Sequence, residues 1–384
     1  MLKSVKIENF RGFKSFELQQ LGRINLLVGE NNSGKTSILE AIQLLCSRTN
    51  LEPLGEIMIN RGEHIWNDNL REERELDISH LFHDHEFQLD SAFSISGIND
   101  DVKEEFSITI GQINPPIDSD LNDYDQKSKQ KIMVDYFSSD ITTSINFQVI
   151  WRREEQETDI LNLHLSVNNC LPIQLIKRSI WEQTNKAPRT ILINSSSLNT
   201  AKMTELFEEV VLNPEEELVT EALRIIDKKI ERIAPANVQK ASQMMRLRSA
   251  ESHTGFYVRL ADSKQRVPIG SMGDGIWRIL GIILATVCAK DGYLFIDEID
   301  TGLHFTTMSD MWKMIWQTAK KLNLQVFATT HNSDCWKSLA DIVEQEDTSE
   351  DGIRIHRIEK GKETSIVFTE PQIVIAAERE LEVR

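Results

Sequence analysis

The sequence predicts an α/β fold with a mixed sheet, divided by an inserted β-rich and helical region. Three observations carry that prediction. A glycine-rich stretch, Gly29-Glu30-Asn31-Asn32-Ser33-Gly34-Lys35-Thr36, joins a short apolar run to a helical pattern. A second apolar run, Tyr293-Leu294-Phe295-Ile296, ends in two acids, Asp297 and Glu298. About 260 residues separate the two stretches, and much of that interval alternates in polarity as strands do.

Residues 2–9 alternate as a strand, Phe10-Arg11-Gly12-Phe13 turns, and 14–18 continue as a second strand. Residues 23–28 read as a short buried strand. A helix over 33–46 then puts Ile38, Leu39, Ile42, Leu45 and Cys46 on one face. The stretch between strand and helix fits G-x-x-x-x-G-K-[ST] at every fixed position. Backbone N–H groups at such a helix start are unpaired and point outward, so Asn31, Asn32, Ser33 and Gly34 are placed to cradle phosphate oxygens. Lys35 is placed to reach β- and γ-phosphates, and Thr36 to offer its hydroxyl to Mg²⁺, with Ser37 as a lesser candidate. The bland alternative is a chance glycine turn. Agreement of the motif with its strand–loop–helix context weighs against it.

The interval that follows is less informative. Residues 50–90 are mixed, with charge clusters at 71–75 and 80–86. His80, His83 and His85 invite a metal reading, yet no cysteine or second ligand group accompanies them, so a solvated turn is expected. Strand-like runs at 91–96, 105–110, 143–151 and 160–167 suggest an antiparallel sheet. Residues 114–131, with Pro115 and Pro116, read as a loop. Residues 191–193 form another buried strand. Two helices are expected at 202–212 and 214–233, the second opening on Asn213-Pro214 and the acids Glu215, Glu216 and Glu217. Its broad apolar face, with Leu218, Ala222, Leu223, Ile225, Ile226 and Ile230, belongs in a core or on another chain. Strands follow at 242–248 and 255–260.

In the second half, Asp297 is suited to hold Mg²⁺ directly or through water, and Glu298 to polarise an attacking water as general base. Two exposed acids at a strand end are the plain alternative. Just before them, Ile269-Gly270-Ser271-Met272-Gly273-Asp274-Gly275 precedes an apolar helix at 276–289, a second glycine-rich helix start and so a second potential phosphate site. A helix at 308–322 and a buried strand at 324–329 lead to Thr330-His331-Asn332-Ser333, and 352–369 read as a final hairpin.

Acidic residues outnumber basic ones, 60 to 43, for a net charge of −17, so any DNA contact has to be local or made by a partner. The four cysteines, Cys46, Cys170, Cys288 and Cys335, form no C-x-x-C pair, which suggests reduced thiols in a cytoplasmic protein. The N-terminus lacks a secretory apolar core. The apolar helix at 276–289 is too short to span a membrane and contains Arg278, so no membrane association is expected.

The order of these motifs resembles the ABC/SMC class of ATPases. A compact hexameric AAA-type module places its phosphate loop and acidic strand much closer together. The wide spacing here implies a split nucleotide-binding domain, 1–50 with 240–384, taking in part of a β-rich lobe from 50–200, with 200–240 as a helical arm. The resemblance implies ATP and Mg²⁺ as cofactors. It implies that Ser271, Gly273 and Gly275 form a signature loop on the γ-phosphate held by the other protomer, although the match to L-S-G-G-Q is loose. Asp300, in Ile299-Asp300-Thr301-Gly302-Leu303-His304, falls in a D-loop-like segment, and His331 falls where the class has its γ-phosphate-sensing switch histidine. Ile7-Glu8-Asn9-Phe10-Arg11-Gly12-Phe13 resembles the opening of SMC-, RecF- and OLD-like ATPases, which implies a nucleotide contact for Arg11; an exposed turn arginine is the alternative.

Within the class the chain looks like the compact ATPases of bacterial anti-phage defence, the ATPase subunit of PARIS-type systems and the ATPase half of OLD-family nucleases. The resemblance implies a homodimer or higher homo-oligomer around ATP. It also implies a separately encoded effector, of which a TOPRIM-like nuclease is one candidate, because no TOPRIM domain is expected after the final hairpin. A RecF-like DNA repair ATPase and a nucleotide-switched scaffold with little turnover remain as alternatives, and a transporter ATPase fits least well.

Overall fold

The structure is a computed structural model that describes residues 1–67, 73–112, 130–132, 145–154, 158–182, 187–194, 198–235, 255–262, 265–346 and 352–383. The strand expected at 242–248 and nearly all of the 114–131 loop lie outside the described residues. The chain divides into two units. One comprises Met1–Leu21, Thr36–Pro188 and Lys360–Ser365; the other comprises Gly22–Lys35, Arg189–Glu359 and Ile366–Arg384.

The first unit is built on a seven-stranded sheet, in the order Phe13–Leu18, Leu2–Phe10, Ala92–Asn99, Val102–Gln112, Ile145–Arg153, Asp159–His164 and Gln130–Ile132. Its neighbours are antiparallel except the last pair. The expected antiparallel sheet is present, and it recruits the N-terminal hairpin. Alternation buries one face: Val5, Ile7, Phe93, Ile95, Phe106, Ile108, Phe147 and Val149 are all closed to solvent. The helix Lys35–Ser47 covers this sheet with Leu45, close enough that a Cβ on Gly97 would come within 3.1 Å of the leucine side chain. A three-stranded sheet of Leu171–Pro172, Glu73–Leu76 and His64–Asn67 completes the unit, with helices at Glu52–Asn60 and Ile173–Glu182. The helix Glu52–Asn60 falls in the stretch of mixed character at 50–90. It is short, starts on Pro53, and buries Leu54, Ile57 and Met58.

The second unit is built on a six-stranded sheet, in the order Thr190–Ile193, Tyr293–Ile296, Gln325–Thr330, Ile24–Val28, Ile353–Arg357 and Ile366–Phe368. The first five strands are parallel and the last is antiparallel. Helices line the chain between them, at Thr200–Val210, Glu216–Ile226, Asp274–Cys288, Met308–Lys321, Ser333–Gln345 and Glu370–Glu378. Parallel strands covered on both faces read as continuous apolar runs, as Tyr293–Ile296 and Ile24–Val28 do. The phosphate-loop strand, the acidic strand and the strand before His331 are neighbours, with Gln325–Thr330 in the middle. Their carboxyl ends therefore lie along one edge of one sheet, where open α/β sheets place their ligands.

Two expectations differ from what is observed. The helix expected over 214–233 stops at Ile226, and Ile230–Pro235 is a strand paired with Phe256–Leu260. Asp227, Lys228 and Lys229 interrupt the apolar stripe, and the following β-branched residues find a cross-strand partner that local periodicity does not reveal. The division of the chain also differs. The helices expected as an arm at 200–240 bury Met203, Leu206, Phe207, Val219 and Leu223 in the core of the second unit, while residues 1–21 belong with the β-rich unit.

Candidate functional site

The phosphate loop is held in a shape that its glycines alone permit. Gly29 has φ +147°, and a Cβ there would meet the Ile358 carbonyl oxygen at 2.4 Å. Gly34 has φ +94° and Asn32 φ +60°, the left-handed region in which asparagine is the best tolerated non-glycine. Asn31 and Asn32 are exposed, whereas Ser33 is buried and its hydroxyl has no hydrogen-bond partner among the described residues. The Lys35 ammonium folds back on its own loop, donating to the Gly29 carbonyl at 2.8 Å and the Glu30 carbonyl at 2.7 Å. Burial lowers its pKa, and the negative charges of Asp297 and Glu298 oppose that shift. The lysine thus lies within the electrostatic reach of the acidic strand end.

That strand end is fastened by one threonine. Thr329 Oγ1 donates to Asp297 Oδ1 at 2.6 Å and accepts the Glu298 amide at 2.8 Å. The Thr329 carbonyl accepts the Ile299 amide at 3.0 Å, and the Asp297 amide donates to the Ile193 carbonyl at 2.7 Å. Glu298 itself has φ +50°, a conformation that costs a non-glycine residue about 1–3 kcal/mol unless its surroundings impose it. Its carboxylate is half-buried, with Thr301 Oγ1 at 3.4 Å from Oε2. The next strand residue repeats the device: Thr330 Oγ1 donates to Asp300 Oδ1 at 2.6 Å. His331 follows directly and is exposed. Asn332 caps the helix Ser333–Gln345 by accepting the Asp334 amide at 2.9 Å.

The second glycine loop is a short 3-10 turn, Ile269–Met272, followed by Gly273 at φ +98° and the helix Asp274–Cys288. Ser271 and Gly273 are exposed. Gly275 abuts the Asp300-containing loop, since a Cβ there would lie 3.4 Å from the Gly302 carbonyl oxygen.

The sequence leaves Arg11 either a nucleotide contact or an exposed turn arginine. The structure buries it in the first unit, with Nε 2.8 Å from Glu40 and its terminal nitrogens 2.6 and 3.0 Å from Glu63. It is not an exposed turn arginine, and its fork is committed to carboxylates. Glu40 also accepts from Arg61 Nε at 2.6 Å, and Arg61 reaches Ser37 Oγ at 3.3 Å. Burial pushes the Glu40 carboxyl up, with Arg11 and Arg61 pulling the other way. Thr36 and Ser37 begin the first unit's part of the phosphate-loop helix.

His80, His83 and His85 occupy short 3-10 turns; His80 Nδ1 and His85 Nδ1 are 3.3 Å apart, while His83 Nδ1 is 3.0 Å from the Arg11 carbonyl. Among the described residues no group of three or more metal-ligating side chains converges.

Three residues of the site escaped sequence analysis. Thr329 and Thr330 carried one visible signal, hydroxyls ending an otherwise apolar strand next to His331. Arg278 is visible in the sequence only as a charge unfit for a membrane. Among the described residues no helix is long and apolar enough to cross one.

With this geometry in view, comparison with known proteins decides the family. The family model described as "AAA ATPase domain" matches residues 1–335. The chain belongs to the AAA ATPase domain family. The family match runs from the N-terminal hairpin past His331, so it spans the long interval between phosphate loop and acidic strand. The chain is 24% identical over 361 residues to an "ATP/GTP phosphatase" of Helicobacter pylori, covering 90% of each. It is 50% identical over 44 residues to the DNA replication and repair protein RecF of Clostridioides difficile, 12% of each chain. Among solved structures it is similar to an SMC head bound to the C-winged helix domain of ScpA, at 12% identity and TM-score 0.46, covering 96% of this chain and 98% of that one. It is also similar to the SMC head domain of Thermotoga maritima, at 12% identity and TM-score 0.42, covering 96% and 98%.

Proposed function

We propose that this member of the AAA ATPase domain family is a Mg²⁺-dependent ATPase that assembles as a homodimer or larger homo-oligomer around ATP and controls a partner effector. The observation that carries the reading is the edge of the parallel sheet. There Lys35 lies within electrostatic reach of Asp297 and Glu298, and Thr329 fastens both acids.

The residues fit the cofactors. A buried Ser33 hydroxyl with no partner among the described residues and a lysine parked on loop carbonyls are groups that phosphate oxygens would satisfy. Asp297 supplies a hard oxygen donor suited to Mg²⁺, and the loop motif gives the Thr36 hydroxyl the same role. When bound, Mg²⁺ would neutralise charge on the β- and γ-phosphates. Lys35 would leave the Gly29 and Glu30 carbonyls to pair with the same oxygens. Asp297, fixed by Thr329, would keep one face of its carboxylate toward the metal. Glu298 would accept the proton of the attacking water. His331, exposed after Thr330, would face the γ-phosphate, and Asp300 would order the adjoining loop. The exposure of Ser271 and Gly273 supports a role in trans, on ATP held by a second copy. The effector would be a separate protein, with a TOPRIM-like nuclease as one candidate and anti-phage defence as the setting.

The local identity to RecF favours a second reading, a DNA repair ATPase. The net charge of −17 speaks against an extended DNA groove.

The test is Glu298→Gln, assayed for phosphate release and for size by light scattering with ATP and Mg²⁺. The proposal expects turnover to fall by roughly 100-fold or more, while ATP is retained and the assembly lives longer. Parental turnover would remove Glu298 as the base. Ser271→Arg should abolish hydrolysis and weaken ATP-driven association yet leave nucleotide binding by the monomer near the parent's; loss of monomer binding would refute the role in trans. Phosphate release with and without DNA separates the two readings.

A further inference from the structure

Arg278 is a buried charge with Asp297, Asp300 and Glu298 within electrostatic reach. It sits on the helix Asp274–Cys288 between buried Trp277 and Ile279, and only 6% of it is exposed. Nη1 donates to the Asn194 carbonyl at 2.9 Å, and Nη2 donates to the carbonyls of Asp297 and Glu298, each at 3.2 Å. Asn194 directly follows the strand Thr190–Ile193, the parallel neighbour of Tyr293–Ile296. One guanidinium therefore spans the ends of two adjacent strands.

We propose that Arg278 is a positioning residue for the hydrolytic base: it fixes the backbone turn that aims the Glu298 carboxylate and ties that turn to the helix starting at the Ser271 loop. This inference rests on the reading of Glu298 as base. Glu298 holds φ +50°, so its backbone needs restraint at both ends. Its amide is held by Thr329 at 2.8 Å, and its carbonyl accepts from Arg278 at 3.2 Å and from the Thr301 amide at 3.0 Å. Packing alone does not explain an arginine here. Its Nε is buried without a hydrogen-bond partner among the described residues, and a hydrocarbon of similar volume would avoid desolvating a charge. A lysine would not serve equally either, because its donors radiate from one nitrogen, whereas the guanidinium presents two spaced nitrogens, one to each strand end. The helix link matters for the same reason. Gly275 lies one turn before Arg278 on one rigid helix, so a displacement of the Ser271 loop would reach the Glu298 turn through this side chain.

The test uses the full chain with ATP and Mg²⁺, in the variants Arg278→Lys and Arg278→Met, each alone and combined with Glu298→Gln. Melting temperature, kcat, KM for ATP and the single-turnover rate are measured. The proposal expects Arg278→Lys to stay folded, to lose about tenfold in kcat and to keep KM within about twofold. Arg278→Met should lose more. In the Glu298→Gln background the same substitutions should have little further effect on the residual single-turnover rate, because they act through that carboxylate. A folded Arg278→Lys protein with parental kcat would overturn the proposal, whether or not Arg278→Met folds. Equal losses in both backgrounds would also overturn it, and would mark Arg278 as purely structural. Absent hydrolysis by the parent would refute the ATPase reading, and undiminished turnover by Glu298→Gln alone would refute the base; both are recognisable before any Arg278 variant is made.

Discussion

Thr329 Oγ1 lies 2.6 Å from Asp297 Oδ1 and also receives the Glu298 amide, so a single hydroxyl orients both acids at the end of the neighbouring strand. Thr329 is 1% exposed, and water has no access to replace it. Thr329→Val keeps the shape and removes the hydroxyl. The Glu298 amide and one Asp297 oxygen then lose their partner, for a stability loss of about 1–3 kcal/mol. We expect kcat to fall about tenfold or more, with a higher Mg²⁺ requirement. Steady-state phosphate release across a Mg²⁺ titration checks this; parental Mg²⁺ dependence would contradict it.

Lys35 carries the opposite sign of effect on stability. Burial lowers its pKa in the folded protein below 10.5, so the unfolded chain binds the proton more tightly. The charged lysine therefore destabilises the nucleotide-free fold at neutral pH, and that penalty is relieved only as pH rises toward 10.5. Lys35→Met should remove that solvent-screened penalty and leave the melting temperature without nucleotide at or slightly above the parent's at pH 7, while losing the stabilisation conferred by ATP with Mg²⁺. A lower melting temperature without nucleotide would contradict the sign.

Arg11 offers a direct choice between its two readings. Arg11→Met leaves Glu40 and Glu63 buried without their shared partner, at a cost of about 3–5 kcal/mol. The expected outcome is a large drop in melting temperature with nucleotide affinity nearly unchanged in the folded protein. Lost affinity with unchanged melting would return Arg11 to the nucleotide.

His356 sets a pH limit. It is buried in the strand Ile353–Arg357, and burial, aided by Arg354, lowers its pKa from 6.5 to about 3. Between those values the unfolded chain holds a proton that the folded histidine refuses. Stability from this residue is therefore complete above pH 6.5 and is lost as pH falls toward 3, at up to about 1.4 kcal/mol per pH unit. His356→Leu should flatten the dependence. Denaturant unfolding at pH 7, 5.5 and 4.5 measures it, and parallel curves for parent and variant would exclude the contribution.

What the sequence determined by itself is what is encoded locally. The phosphate loop follows from eight consecutive residues, and the acidic strand from six. The hairpin, the paired helix starts and the strand before His331 follow from periodicity within a dozen residues. Backbone conformation and amphipathic pattern act over that range, so those elements were legible. Tertiary structure alone decided the rest. Thr329 and Asp297 are 32 residues apart, and they meet because Gln325–Thr330 lies between the acidic strand and Ile24–Val28, an order that no local pattern states. The end of the helix at Ile226 was set by a strand partner, Phe256–Leu260, some thirty residues downstream. Arg278 is, in the sequence, only a charge within an apolar helix; its partners are carbonyls from two strands that packing brings to it. A buried polar side chain takes its meaning from the partners that remove its desolvation penalty, and those partners are assigned only when distant segments pack.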